Sequence, residues 1–130
     1  MLEALSPTVG RKLTPYEYEV LVRLCSLDFA GNEFYLKQLE ACRVVEEGPC
    51  HDLRFVFHDL VQPAPHSVEH SRLLAVAEFF ERGNRGSFLL FGKSGLLYFL
   101  EKASTNPMAM IGSWRPAVDT IVFKAYVPPG

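Results

Sequence analysis

A chain of 130 residues that is 48% hydrophobic and 22% charged has the composition of one ordinary globular domain and is too apolar for intrinsic disorder. Its formal net charge of −2 excludes a whole-chain electrostatic attraction to nucleic acid. No apolar run approaches the ~18 residues of a membrane span, and residues 1–10 lack the basic-then-apolar start of a signal peptide and read as a flexible lead-in.

In chain order, the first firm signal is Leu13-Thr14-Pro15-Tyr16-Glu17-Tyr18. Thr14 suits a helix N-cap and Pro15 the first helical position, where a missing N–H costs nothing. Glu17 falls three residues after the cap and closes a capping box, with Leu13 and Tyr18 spaced as a hydrophobic staple. Leu21, Leu24 and Cys25 continue one apolar face until Asp28. Gly31-Asn32 opens a second short helix through Phe34, Tyr35, Leu36, Leu39 and Cys42.

From Arg43 the period changes from helical to alternating. Arg43–Glu46 reads as a strand and Gly48-Pro49 as the turn after it. Leu53, Phe55 and Phe57 then share one face of the next strand. Gln62-Pro63-Ala64-Pro65 is a loop, because two prolines remove ladder donors. Residues 73–81 fit a helical stripe and also a strand buried on both faces. A strand is preferred, since the hairpin formed by Ser87–Phe91, the turn Gly92-Lys93-Ser94-Gly95 and the return strand Leu96–Glu101 cannot stand alone. Residues 82–86 supply the turn before it, and 121–127 reads as a closing strand. The expected fold is α+β: two N-terminal helices packed on an antiparallel meander sheet of about five to six strands, in a single domain.

Arg11-Lys12-Leu13-Thr14, then Gln38-Leu39-Glu40 leading through Val44-Val45-Glu46-Glu47 to Leu53-Arg54-Phe55-Val56, resembles a family of short bacterial domains of unknown function. Ala77-Glu78-Phe79 and Leu96-Leu97-Tyr98-Phe99-Leu100-Glu101 continue the resemblance, which covers roughly residues 11–102. It implies two helices on a meandering sheet, and so strand at 73–81, and brings no catalytic residue. The chain departs from the family's glycine-rich turn at Gly48-Pro49-Cys50-His51-Asp52 and in its tail from Ser104 onward.

Several motifs invite sharper readings. Phe91-Gly92-Lys93-Ser94 lacks the glycine that a phosphate loop needs at the position of Ser87, and reads as a hairpin turn. His66-Ser67-Val68-Glu69-His70 has the order of inverted zinc proteases, whose chemistry requires a helix; two upstream prolines favour an exposed loop. A metal cluster of Cys50, His51, His66 and His70 follows no recognised spacing. Cys50-His51 makes a poor nucleophile–base pair, because adjacent residues in a turn point apart. Three cysteines without CxxC spacing argue against a disulfide framework and suit a reducing cytoplasm. Trp114 either anchors a partner together with Arg115 and Tyr98 or plugs one end of the sheet.

Residues 1–50 hold five basic and eight acidic side chains, net −3, while residues 51–130 are net +1. The acidic half suits a basic partner. The expected function is therefore a non-enzymatic protein-binding domain of the immunity type that neutralises a cognate bacterial toxin in the cytoplasm. Trp114, Arg115, Tyr98, Glu46 and Glu47 are its expected partner-binding residues. Neither nucleic acid nor membrane is an expected partner, and no cofactor, metal or catalytic residue is expected. A homodimer through an uncovered sheet edge is an alternative use of the aromatics. A metal-dependent hydrolase using His66, Glu69 and His70, and a small-molecule sensor binding under the sheet, are the alternatives in other classes.

Overall fold

The computed structural model describes residues 9–65, 67–106 and 114–126. Helix α1 spans Pro15–Cys25, and its capping box is complete: Thr14 Oγ1 accepts from the Glu17 N–H at 3.1 Å, and Glu17 Oε1 accepts from the Thr14 N–H at 2.9 Å. Such a cap is worth about 1 kcal/mol. Val20, Leu21, Leu24 and Cys25 form its buried stripe, at the spacing one helical face demands. Helix α2 is shorter than the sequence suggests, Asn32–Gln38. Leu39, Glu40 and Ala41 close on Leu36, Lys37 and Gln38 with tight i to i−3 bonds, and Cys42 already belongs to a strand, where the alternation begins.

Six strands follow among the described residues: β1 Cys42–Glu47, β2 Asp52–Phe57, β3 Arg72–Glu81, β4 Asn84–Lys93, β5 Leu96–Ser104 and β6 Val122–Ala125. All pair antiparallel in one sheet, so the α+β expectation and strand at 73–81 both hold. β4 is longer than expected because the turns on either side are shorter. Arg82-Gly83 and Ser94-Gly95, all at positive φ, form two-residue turns whose twist matches the strands they join. The sequence pattern places Arg82 to Gly86 in a turn, but Gly86 lies inside β4, buried under the Phe79 ring. Val127 and residues 1–8 lie outside the described residues. Directly after the expected flexible lead-in of residues 1–10, Arg11 is held to β1 by two backbone bonds with Val44, 2.8 and 2.9 Å.

The strand order is β1-β2-β5-β4-β3-β6. β3-β4-β5 is a meander, but β2 neighbours β5 rather than β3, through pairs such as Leu53 with Leu100. Residues 58–71 therefore carry the chain across one end of the sheet. This crossing is tied down at the β4–β5 turn. Ala64 N–H donates to Gly95 O at 2.9 Å and Ser94 N–H donates to Val68 O at 2.8 Å. Gln38, 2% exposed, completes the tie. Its Nε2 donates to Gln62 O and Gly95 O, and its Oε1 accepts from the Leu97 N–H at 2.8 Å. One buried amide thus joins α2, the crossing loop and the hairpin.

Both helices lie on one face of the sheet. Their buried residues form the core with Val44, Leu53, Phe55, Ala75, Ala77, Phe88, Leu90, Leu97 and Leu100. Trp114, Val118 and Ile121 close one end of that core.

Candidate functional site

Among the described residues, no helix lies on the opposite face of the sheet. Strand register places Val45, Arg54, Phe99, Phe91 and Leu73 in one cross-strand row. Glu101, Leu89, Val76 and Lys124 form the adjacent row. Val45, Val76, Leu89, Phe91 and Phe99 are half-buried, yet none of them packs against the helix-side core. Phe80, 68% exposed, and Val122 extend the same face toward β6. Charges border the apolar stripe. Arg54 pairs with Glu47 at 2.6 Å, Lys124 with Glu78 at 2.8 Å, and the Arg85 guanidinium lies 5.5 Å from the Phe80 ring centre.

The five expected partner-binding residues do not form one patch. Trp114 is 2% exposed and meets the Phe79 ring edge-on at 6.4 Å, which makes it the plug of the sheet's end. Tyr98, beside Phe99 with Lys93 5.1 Å above its ring, and Glu47 border the helix-free face. Glu46 projects to the other side, where it pairs with Arg11 at 2.8 Å and lies 3.0 Å from a ring nitrogen of His51. Arg115 is exposed on the helix side, its guanidinium 5.9 Å from the Tyr16 ring centre.

Beneath Arg115 a small recess opens between α1 and β5, lined by Tyr16, Glu17, Phe88, Lys102 and apolar neighbours. Glu17 is 7% exposed, and its carboxylate receives both prongs of the Arg11 guanidinium at 2.8 and 2.9 Å. Burial pushes its pKa up, but the Arg11 hydrogen bonds, the Thr14 N–H and the Arg11 charge outweigh burial and hold it below the ordinary carboxylate value. Burial drives the Lys102 ammonium below the usual lysine value, and Arg115 adds to the fall against the opposing pull of Glu17, Glu46 and Asp52. Burial also pushes the Tyr16 hydroxyl up to about 12; this hydroxyl donates to Pro116 O at 2.6 Å.

The Glu17 pair sets an acid limit on stability. A carboxylate whose folded pKa is depressed contributes stability that is full above its unfolded pKa of ~4.3 and lost as pH falls through the folded value. Urea midpoints should therefore drop steeply below pH ~4 in the wild type. Glu17→Gln, which cannot titrate there, should show a lower midpoint at pH 7 and a flatter acid limb. Parallel limbs would remove this pair from the account.

Sequence reasoning missed Lys102 because it ended the strand at Glu101. Extending the alternation from Leu100 by two residues would have placed a lysine on the core face. The described histidines do not converge. His51 faces Glu46, a ring nitrogen of His58 lies 2.8 Å from Val9 O, and Glu69 and His70 are exposed in a non-helical link to β3; His66 lies outside the described residues. Among the described residues, no three His, Cys, Asp or Glu side chains gather as a metal site would require. Comparison with protein-family models, with curated proteins and with solved structures found no match in any of the three.

Proposed function

We propose that this chain is a non-enzymatic protein-binding domain that docks a partner on the helix-free face of its sheet, and that the partner is a cognate bacterial toxin. The apolar stripe of Val76, Leu89, Phe91 and Phe99 with its charged border is the observation that carries this reading. An apolar centre within a polar rim is the anatomy of a protein interface, and contiguous apolar surface on a soluble domain marks interaction sites. Six strands at ~4.8 Å spacing make a face roughly 25 Å across, on the order of 600 Å², close to the ~800 Å² that one partner contributes to a standard interface.

Pairing through a strand edge is less well supported. β6 has four residues, with Lys124 among them, and β1 is flanked by Arg11. Short edges and edge lysines are the devices that discourage strand addition. The acidic balance of residues 1–50 favours a basic partner, and Glu47, on the border of the helix-free face, is a natural point of contact for one.

The test is co-purification of the tagged chain from its native host, with the stoichiometric partner identified by mass spectrometry. The partner is expected to arrest growth when expressed alone and to be harmless when this chain is co-expressed. A chain that purifies alone, or a partner without toxicity, contradicts the docking or the toxin part of the reading respectively.

A further inference from the structure

The sheet parts between β2 and β5. Among the described residues these strands pair only at Leu53 with Leu100 and Arg54 with Phe99, although β2 runs on to Phe57 and β5 begins at Leu96. Two features end the ladder there. Phe91 pairs with Phe99 and Gly92 with Leu97, so Tyr98 has no opposite number on β4 and forms a β-bulge, a device that bends a strand and terminates its pairing. Beyond the bulge, the Leu97 N–H donates to Gln38 Oε1 at 2.8 Å, which ties β5 to α2 instead of to β2.

The parting leaves a groove of about 390 Å³, within the ~300–1,000 Å³ of ligand sites. Phe55, Phe57 and Leu97, which belong to the core or pack on it, form its floor. Val56, Leu96 and Tyr98 line it on the side of the helix-free face. Along Phe55–Phe57, β2 has β1 on one side; on the other, among the described residues, neither a strand nor a loop backbone pairs with it. An unpaired stretch of strand is a template for an added one, and this stretch offers roughly 10 Å at ~3.3 Å per residue. Unlike the outer edges at β1 and β6, it lies within the sheet and has apolar walls. At the rim stands exposed Lys93, 5.1 Å from the Tyr98 ring centre. Among the described residues its ammonium has no carboxylate partner, so the rim is complementary to an acidic side chain.

We propose, resting on the docking reading, that an extended segment of the partner adds here as a strand against Phe55–Phe57, with apolar side chains at alternate positions and a carboxylate that reaches Lys93. Lys93 lies toward the opposite end of the strands from Glu47, so an acidic segment here accompanies a basic contact there.

The probe is a phage-displayed library of random linear heptapeptides, selected on the immobilised chain. The wild type should enrich peptides with alternating apolar residues and one Asp or Glu. Bound peptide should slow hydrogen exchange at amides within residues 55–58, an effect of strand pairing rather than of side-chain contact. Lys93→Glu, an exposed change, should weaken these peptides about fivefold and favour Lys or Arg at the acidic position on reselection. No enrichment by the wild type, enrichment without the acidic position, or unchanged exchange at 55–58 would overturn the proposal. Self-association that protects the same amides, with no peptide enriched, gives the groove to a second copy and overturns it as well. A native partner that co-purifies while no peptide is enriched removes the groove and leaves the docking face. Enriched peptides without any native partner support the groove's chemistry and remove the docking reading.

Discussion

Gln38→Leu is expected to lower stability by about 2–4 kcal/mol, because one side chain of nearly the same shape then leaves three backbone groups, two of them buried, short of partners. The Leu97 N–H loses its acceptor, Gln62 O loses a donor, and Gly95 O keeps only the Ala64 N–H. The consequence reaches beyond one side chain. The crossing loop 58–71 lets β3 lie two strands away from β5, and this amide fastens that loop to both α2 and the β4–β5 turn. Loss of the amide should therefore expose amides of residues 62–68 and 94–97 to hydrogen exchange before the rest of the sheet. Gln38→Glu separates the roles. It keeps the acceptor for Leu97 but aims a carboxylate at two carbonyl oxygens, so its folded pKa is raised. Its stability should recover as pH falls, the opposite trend to the wild type. A Gln38→Leu midpoint within about 0.5 kcal/mol of the wild type, the range of ordinary surface changes, would show that the clamp is not made.

Gly95→Ala is expected to cost about 3 kcal/mol, more than conformation alone explains. Gly95 has φ +81°, and an added Cβ would stand 2.7 Å from Ala64 O, 2.8 Å from Pro63 Cβ and 2.8 Å from Ser67 Oγ. The nearest of these is backbone in the clamped loop and cannot swing aside. Gly83 supplies the control: it has φ +79° with nothing within 4 Å of an added Cβ. Gly83→Ala should cost only the ~1 kcal/mol of left-handed conformation in a residue with a Cβ. The gap between the two urea midpoints isolates the contact with the loop. Because Gly95 O is shared with Gln38, the double variant Gln38→Leu with Gly95→Ala should lose less than the sum of its parts. Equal costs for the two glycines would mean that the loop does not press on the turn.

Local chemistry was legible in the sequence, and long-range placement was not. The α1 cap could be read because Thr14 and Glu17 satisfy each other within four residues. β3 could be read because a lone β4–β5 hairpin needs a third strand. Strand order could not, since nothing within residues 58–71 states that they cross the sheet's end; that is decided by bonds between Gln62, Ala64, Val68 and groups some thirty residues away. Cys42 followed the helical spacing of Leu39 but was captured by the strand that starts there. Trp114 shows the limit for single residues. Its loop position allowed either an anchor or a plug, and only the Phe79 ring decides it. The helix-free face was half-visible, because Leu89, Phe91 and Phe99 alternate with core residues, but their gathering into one stripe depends on register across four strands.

The docking role of that stripe is tested most directly by Leu89→Lys. Leu89 sits mid-strand on β4, flanked by Val76 and Glu101 in the sheet, and does not touch the helix-side core. The variant should keep the wild-type circular dichroism and a cooperative unfolding transition. It should lose its co-purifying partner, because a charge at an interface centre is left desolvated and unpaired. Tyr18→Lys, a change on the exposed outer surface of α1, should retain that partner. A folded Leu89→Lys variant that still carries the partner at wild-type stoichiometry would contradict the account.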